Sequence, residues 1–547
     1  MTSSNTDVKY DVIVIGAGHN GLTNACYLAR AGLKVLVLEQ RSVVGGLCTD
    51  YEFFPGYHSS IPNSPGSLEP KVVADLELKK FGLEFTRPDP SLVVPFPDGR
   101  AMVAWRDREK TAKEITKFSQ TDVIQYAKLF EYLNDFGARL KISLFEPPPS
   151  LRDVLSRLET PEDEDAFAKV VLGSLTDLLD NWLESPEMKA VIAAISATSN
   201  LVGPSTPGTP YLLLMRPLSM ASNMVETSDD PRKQYLRGST GLPIGGMGSV
   251  TRAMRLSLEA HGGVVRTECK VSRIVATQNG VQGVELESGE FIPASIVSSN
   301  LHPKTTLIDL LDLVSGNQTI MKRVDQLPKR GSAFKIALKL DGLPVFAAAP
   351  VGLEATYSGC QFRLSPTLEY MDRAYDDAKY GAPSQNPIIL GLIPSVADPS
   401  MAPPGKHILS ANAFHAPVEL KGTTWAAERE KFGLRCIDIM AQYMPNLKEC
   451  ISDYKFLSPL DLEEEFGLRD ANIMHVDMMP AHMFGLRPVP GISSYKMPVK
   501  GLYLCGSGTW PGGTVSGVPG YNASRQILCD MQTEREVEHD FAELESS

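Results

Sequence analysis

Cysteine pairs, long apolar runs and an excess of positive charge are all missing from this 547-residue chain. None of its eight cysteines forms a Cys-x-x-Cys pair, and no Cys/His group has the spacing of a zinc site. The sequence therefore predicts neither dithiol redox chemistry nor a bound metal. Scattered single thiols are typical of proteins in a reducing compartment.

The charge balance is acidic, with 53 Lys and Arg against 65 Asp and Glu and a net charge of -12. This balance argues against nucleic acid as a partner and against electrostatic docking on anionic lipid. No run of eighteen apolar residues occurs, and residues 1–10 show neither a signal core nor an Arg-rich transit pattern. We expect a soluble cytoplasmic protein, and a peripheral membrane contact through an apolar patch stays open.

A glycine-rich turn near the N-terminus has the form G-x-G-x-x-G. Gly16, Gly18 and Gly21 follow an apolar strand pattern over 11–15 and open a helical pattern that continues over 22–31. The first glycine permits a tight turn, the second lets backbone approach a pyrophosphate, and the third allows close packing of helix on strand. The positive N-terminus of the helix attracts the phosphates. The pattern predicts a dinucleotide site.

Residues after this turn favour FAD as the dinucleotide. Glu39 ends the second strand about 20 residues on, where a carboxylate bonds a ribose hydroxyl and repels a 2′-phosphate. Arg41 and the pair Gly45-Gly46 follow, and they can bring backbone N–H groups onto a second phosphate. NAD binding does not need this continuation.

A second glycine-rich segment lies near the C-terminus, with six glycines between Gly506 and Gly520. It connects a predicted strand, 501–505, to a helix predicted from about Tyr521 to Met531, and the acidic residues after Thr533 are expected to fray. Backbone N–H groups at this helix start can bond the pyrimidine oxygens of a flavin and favour negative charge on the reduced ring. The interpretation is a turn that closes over the flavin.

The chain resembles the phytoene desaturase-related FAD-dependent oxidoreductases, most closely the groups of pyridine nucleotide-disulfide oxidoreductase domain-containing protein 2 and of β-carotene ketolase-like flavoproteins. The stretches that carry the resemblance are 11–39, 75–83, 245–248, 398–407, 472–475, 487–488 and 502–522. The resemblance implies non-covalent FAD, an adenine contact from backbone at Val271, a flavin-ring contact at Gly517 and Val518, and an apolar small-molecule substrate. The chain departs from the family's usual His-Pro-Gly-Gly at Trp510.

Three residues are candidates for catalysis. His475 and Trp510 lie in the family-like motifs on the flavin side, and His58 follows the Gly45-Gly46 loop. Flavin dehydrogenation needs a C–H bond held in place and, in some enzymes, a base near the departing proton. A single histidine is more often structural than a base, and Trp510 can instead shape the cavity or stack on substrate.

The predicted fold is α/β, of the amine oxidase and phytoene desaturase type. A discontinuous Rossmann-type FAD domain is expected from 1–75, 238–330 and 490–535. A mixed α+β substrate domain from 76–237 and 331–489 is inserted between these stretches, and 536–547 form an acidic tail. The segment 75–237 is predicted to be mostly helical.

The predicted function is FAD-dependent dehydrogenation of a hydrophobic small molecule, carotenoid-like, terpenoid-like or alicyclic. Oxygen or a quinone is expected to reoxidise the flavin because no separate nicotinamide motif occurs. The alternatives are a redox-neutral isomerase that uses reduced FAD, an amine oxidase, and a non-catalytic escort or binding protein of the same fold. FAD content separates the last of these from the others, and the need for an electron acceptor separates the isomerase.

Overall fold

A computed structural model of the chain describes residues 9–63, 68–197, 200–222, 241–312 and 317–546. Its strands are β1 (Val12–Ile15), β2 (Val35–Leu38), β3 (Tyr51–Phe54), β4 (Tyr57–Ser59), β5 (Phe85–Thr86), β6 (Leu92–Pro95), β7 (Ala101–Ala104), β8 (Leu242–Pro243), β9 (Val264–Arg266), β10 (Val271–Thr277), β11 (Gly280–Leu286), β12 (Phe291–Pro293), β13 (Ile296–Ser299), β14 (Leu311–Asp312), β15 (Phe334–Leu340), β16 (Gln361–Leu364), β17 (Ile389–Leu392), β18 (His407–Ala413), β19 (Ile451–Leu457) and β20 (Leu502–Leu504).

The α-helices of the same residues are α1 (His19–Arg30), α2 (Pro70–Asp75), α3 (Arg108–Thr116), α4 (Gln120–Arg139), α5 (Leu151–Leu155), α6 (Pro161–Phe167), α7 (Leu175–Trp182), α8 (Pro186–Ala197), α9 (Met215–Ser222), α10 (Gly248–Ala260), α11 (Gln318–Asp325), α12 (Glu354–Ser358), α13 (Leu368–Lys379), α14 (Pro394–Ala397), α15 (Trp425–Tyr443), α16 (Leu447–Cys450), α17 (Pro459–Phe466) and α18 (Val518–Ser546). Each of them is too short or too polar to span a bilayer.

The first sheet is entirely parallel, with the strand order β20-β13-β1-β2-β9. Its central strands are short apolar runs that are buried on both faces, as parallel strands covered by helices are. Helix α1 packs between α10 and α18 on one face. The predicted strand–helix–strand unit is confirmed, and separated parts of the chain meet in this one sheet.

The second sheet has the order β12-β11-β10-β14. Its hairpin joins β10 to β11 with Thr277 opposite Gly280, and Gly280 has φ +115°. This left-handed conformation suits the Asn279-Gly280 turn that the sequence predicts. The hairpin is confirmed.

The third sheet has seven strands in the order β19-β15-β18-β17-β16-β6-β7. One face packs on α15 through an aromatic cluster that includes Phe334, Trp425 and Phe432. Strands β6 and β7 come from the segment predicted to be mostly helical, so the prediction is wrong for 92–104. Each of these two strands has only four residues, too few for alternation to mark it in a helical neighbourhood.

The last helix also differs from the prediction. It begins at Val518 and continues to Ser546, so its predicted end near Met531 and the frayed segment after Thr533 are wrong. Gln532 donates to Glu536 one turn later, a pair that supports an exposed helix. The domain boundaries stay predictions, and the one at 237/238 lies outside the described residues.

Candidate functional site

A cavity of about 380 Å³ lies where the parallel sheet faces the seven-stranded sheet. The carboxyl ends of β1 and β2 supply Ile15 and Leu38 to its wall, and Asn300 follows the end of β13. Because β1 lies between β2 and β13, the connections diverge at this edge, which is where parallel α/β sheets bind ligands. The rest of the lining includes side chains of the seven-stranded sheet.

The first glycine turn is compact because each glycine meets backbone or a neighbouring side chain. Gly16 has φ +90°, a conformation that glycine adopts without strain. A Cβ atom on Gly21 would lie 2.2 Å from the Gly16 carbonyl oxygen, and one on Gly18 would lie 2.6 Å from Asn300 Nδ2. These positions therefore require glycine, and Gly16 and Gly18 line the cavity.

Helix α1 presents its N-terminus to the cavity without a capping partner from the described side chains. Gly18 is its N-cap, no side chain caps it, and its first turn has no acidic residue. Gly18 pairs with Gly45 as an isolated parallel bridge, and the Gly45 N–H donates to the Ala17 carbonyl at 2.8 Å. The two glycine loops thus form one cradle at a positive helix end, which suits a pyrophosphate.

Glu39 lies beside this cradle, and only 6% of the residue is exposed. Its Oε2 accepts from the Ala17 N–H at 2.9 Å, and its Oε1 accepts from the Arg41 N–H at 3.0 Å. Burial raises the pKa of the Glu39 carboxyl, while the two N–H donors favour its ionised form. The carboxylate is held at the cavity wall together with Val271.

Arg41 and Gly46 complete this part of the wall. Arg41 donates through a guanidinium nitrogen to the Gly46 carbonyl at 3.4 Å, and its guanidinium lies 4.6 Å from the centre of the Phe466 ring. The side chain thereby fixes the Gly45-Gly46 loop from one side.

The C-terminal glycine segment lies directly against α1. Asn20 Nδ2 donates to Ser507 Oγ at 3.1 Å, and Asn24 Nδ2 donates to the Gly520 carbonyl at 3.1 Å. A Cβ atom on Gly520 would lie 2.1 Å from the Asn20 carbonyl oxygen. Helix α18 can therefore cross α1 at backbone distance only with glycine there.

Three histidines gather around the cavity. His302 and His475 have ring centres 5.9 Å apart, and His19 Nε2 lies 3.2 Å from the Thr514 carbonyl oxygen. Burial lowers the pKa of His19 and of His475 to about 4, and Arg487 and His19 add to the lowering at His475. Both rings are therefore neutral at pH 7. His475 Nδ1 is buried and has no hydrogen-bond partner among the described atoms.

Arg487 organises the chain behind His475. Its side chain is fully buried, and it donates to the carbonyls of six residues: Met474, Val476, Asp477, His482, Ser507 and Thr509. Burial lowers the pKa of Arg487 to about 9, so the guanidinium stays charged at neutral pH. One side chain thus ties the 474–482 segment to the C-terminal glycine turn.

The cavity brings together most of the residues that the sequence predicts for the site. Those that line it are Gly16, Gly18, Glu39, Arg41, Gly45, Gly46, Val271 and His475. Those that lie outside the lining are Gly21, His58, Gly506, Trp510, Gly517 and Val518.

Trp510 and His58 are therefore not in the wall. Trp510 is fully buried with its ring 5.5 Å from that of Phe484, and its carbonyl accepts from the Tyr495 hydroxyl at 3.0 Å. His58 lies in β4 opposite Glu52 of β3. Because direct contact with substrate is what a catalytic residue needs, this placement argues against both candidates and leaves His475.

Several residues that line the cavity are missed by sequence reasoning: His19, Asn300, Met474, Gln361, Arg363 and Asn412. A signal existed for the first two, since His19 lies inside the glycine motif and Asn300 directly follows a predicted strand of the same sheet. The side chains from the seven-stranded sheet depend on the register of distant strands, which no local pattern encodes.

The model of the NAD(P)-binding Rossmann-like domain matches residues 14–64, which contain the glycine turn, Glu39 and the Gly45-Gly46 loop. The chain is also similar to a triple mutant of putrescine oxidase, with a TM-score of 0.61 and 16% identity over 96% of this chain and 99% of that one. The fold is thus the α/β fold of the amine oxidases. Together with the site it defines an oxidoreductase of the FAD type.

Similarity over the full chain narrows this class. The chain is 32% identical to pyridine nucleotide-disulfide oxidoreductase domain-containing protein 2 of Rattus norvegicus, over 96% of this chain and 94% of that protein. It belongs to that family. It is 25% identical to a subunit of limonene dehydrogenase from Castellaniella defragrans and 24% identical to a lycopene-forming phytoene desaturase of Pantoea ananas, with 95% of this chain covered in each case and 95% and 98% of those proteins. The predicted resemblance is confirmed.

Proposed function

We propose that the protein binds one FAD without a covalent bond and dehydrogenates a hydrophobic small molecule in the same cavity. The observation that carries the proposal is the joined cradle of Gly18 and Gly45 beside the buried Glu39 carboxylate. A donor set of backbone N–H groups and a helix N-terminus fits a pyrophosphate, and a fixed carboxylate fits ribose hydroxyls. The cradle opens into a cavity long enough to include the wall of a second sheet.

Each group of lining residues has a part in holding the cofactor. Val271 contacts the adenine, Glu39 accepts from the ribose, and the start of α1 holds the phosphates. The Gly45-Gly46 loop, which Arg41 fixes, covers the second phosphate. When bound, FAD supplies the chemistry of accepting two electrons and a hydrogen from a carbon atom.

His475 orients the reactants in this proposal. A pKa of about 4 makes its imidazole neutral and only weakly basic at pH 7. A neutral ring whose Nδ1 has no described partner can instead form one directed hydrogen bond inside the cavity. Trp510 and His58 support the wall from behind and do not touch the reacting atoms.

The names of two relatives favour an apolar substrate. Limonene dehydrogenase and phytoene desaturase are named for terpenoid substrates, and the similarity to a subunit of the first and to the second extends over 95% of this chain. The lining includes Leu47, Ile61, Leu390, Ile473 and Met474, which suit an apolar body. Oxygen or a quinone is the proposed acceptor.

Anaerobic reduction tests this function directly. The FAD-loaded protein is mixed without oxygen with a panel of terpenoids, carotenoids, alicyclic ketones and amines, and flavin absorbance is followed. We expect an apolar member to bleach the flavin, amines to leave it unchanged, and His475→Gln to slow bleaching by roughly tenfold with FAD content retained, because it removes a positioning hydrogen bond.

Two results would contradict the proposal. Bleaching by amines alone would indicate an amine oxidase. Conversion of an apolar compound by pre-reduced protein with no net acceptor would indicate an isomerase. The control is Arg373→Met, because Arg373 is an exposed residue that pairs with Glu369 and lies outside the cavity wall.

A further inference from the structure

We propose that the cavity wall formed by the seven-stranded sheet binds a carboxylate, so that the substrate is an amphipathic acid with an apolar body. This inference rests on the proposed function, since it places the head group of the substrate in the same cavity. The anchor is Arg363, with Gln361 beside it on strand β16.

The strand register puts a row of side chains on the cavity face of the sheet. Arg363 of β16 is opposite Leu390 of β17, and Leu390 is opposite Asn412 of β18. Asn412 is in turn opposite Lys335 of β15. Directly opposed residues project to the same face, and Arg363, Leu390 and Asn412 all line the cavity.

Arg363 is a buried cation in this wall. Only 6% of the residue is exposed, and one guanidinium nitrogen donates to the Val191 carbonyl of α8 at 3.4 Å. Gln361, two residues along the same strand, projects to the same face and also lines the cavity. A guanidinium presents five donors in a planar fork, which matches the two oxygens of a carboxylate.

The charges of the lining favour an anion at this wall. Among the described residues that line the cavity, the one carboxylate is Glu39, which belongs to the nucleotide cradle. Lys335 donates to the Ile61 carbonyl, Asn63 Oδ1 and Ser410 Oγ, which are neutral acceptors. Burial lowers the pKa of Lys335 well below its ordinary value, so the fixed positive charge at this wall is that of Arg363.

The same row separates the head group from the rest of the substrate. Leu390 lies between Arg363 and Asn412, which are two strands and roughly 10 Å apart. Asn412 Nδ2 donates to the Ile61 carbonyl at 3.0 Å, while its Oδ1 is buried without a described partner. An acceptor at that position disfavours an anion there, so the carboxylate belongs at Arg363 and the apolar body runs past Leu390.

Binding of a graded set of probes tests the assignment. Decanoate, decanol and decylamine are titrated below their micelle-forming concentrations into the purified holoprotein, by calorimetry and by perturbation of the flavin spectrum. We expect decanoate to bind at least tenfold more tightly than decanol and decylamine. Arg363→Met should remove that preference while decanol binding stays within twofold, and Arg363→Lys should retain part of it.

The controls separate this inference from the proposed function. Arg373→Met makes the same change at an exposed ion pair and should leave decanoate binding unchanged. If Arg363→Met does not fold, Gln361→Leu should still weaken decanoate selectively, by a few-fold. Equal binding of decanoate and decanol by FAD-loaded protein would overturn the carboxylate site alone, and loss of FAD from folded Arg363→Met would place Arg363 on the cofactor instead. Protein without FAD would refute the proposed function, while calorimetry would still report on the carboxylate preference.

Discussion

Glu39→Arg is expected to abolish FAD retention by the purified protein. The wild-type carboxylate is held by two N–H donors, at 2.9 and 3.0 Å, and turns its remaining lone pairs to the cavity. Arginine removes the acceptor for the ribose hydroxyls and puts a second cation beside Arg41. Losing charged hydrogen bonds of this kind costs about 3 kcal/mol or more, which is roughly a hundredfold in affinity.

The measurement is the FAD released per chain by heat denaturation, after purification under identical conditions. Glu39→Gln is the matched variant, because it keeps the size and one carbonyl acceptor, and it should retain an intermediate amount. Thermal unfolding of both variants shows whether they fold. A folded Glu39→Arg protein that still carries one FAD per chain would refute the ribose assignment.

Arg487→Met should be the most destabilising single substitution in the wall of the site. It deletes the donors for six buried carbonyl groups and leaves them among apolar neighbours. Breaking a buried charged network of this kind costs on the order of 4 kcal/mol or more. The urea midpoint of the apoprotein should fall accordingly, and Arg487→Lys should recover only part of the loss because three donors cannot replace five.

The comparison for Arg487 is again Arg373→Met, which breaks an exposed pair with Glu369 and should change stability by less than about 1 kcal/mol. A free energy of unfolding for Arg487→Met within about 1 kcal/mol of the wild-type value would show that the carbonyl groups find other partners. The role assigned to Arg487 would then be wrong.

The nucleotide half of the site could be predicted from sequence because its determinants are local. The turn at Gly16, the close packing at Gly21 and the carboxylate at Glu39 all lie within one strand–helix–strand unit. Glycine is needed where a Cβ atom would strike backbone, and such positions leave a readable pattern. The same reasoning places the hairpin at Asn279 and Gly280 correctly.

The opposite wall could not be predicted, because it depends on how distant strands pair. Arg363 and Asn412 are 49 positions apart in the chain, and they share a wall only through β17. Trp510 shows a second limit: a motif position gives the residue type but not the direction of the side chain, and the ring packs on Phe484 outside the cavity lining. The four-residue strands β6 and β7 carry too little pattern to stand out from helices.

The cofactor content of the wild-type chain tests the central claim most directly. Protein purified from cells supplied with riboflavin should be yellow and should release one FAD, rather than FMN or a nicotinamide dinucleotide, for each chain. Folded protein that is colourless and takes up no added FAD would contradict the dinucleotide cradle at Gly18, Glu39 and Gly45, and every proposal that depends on it.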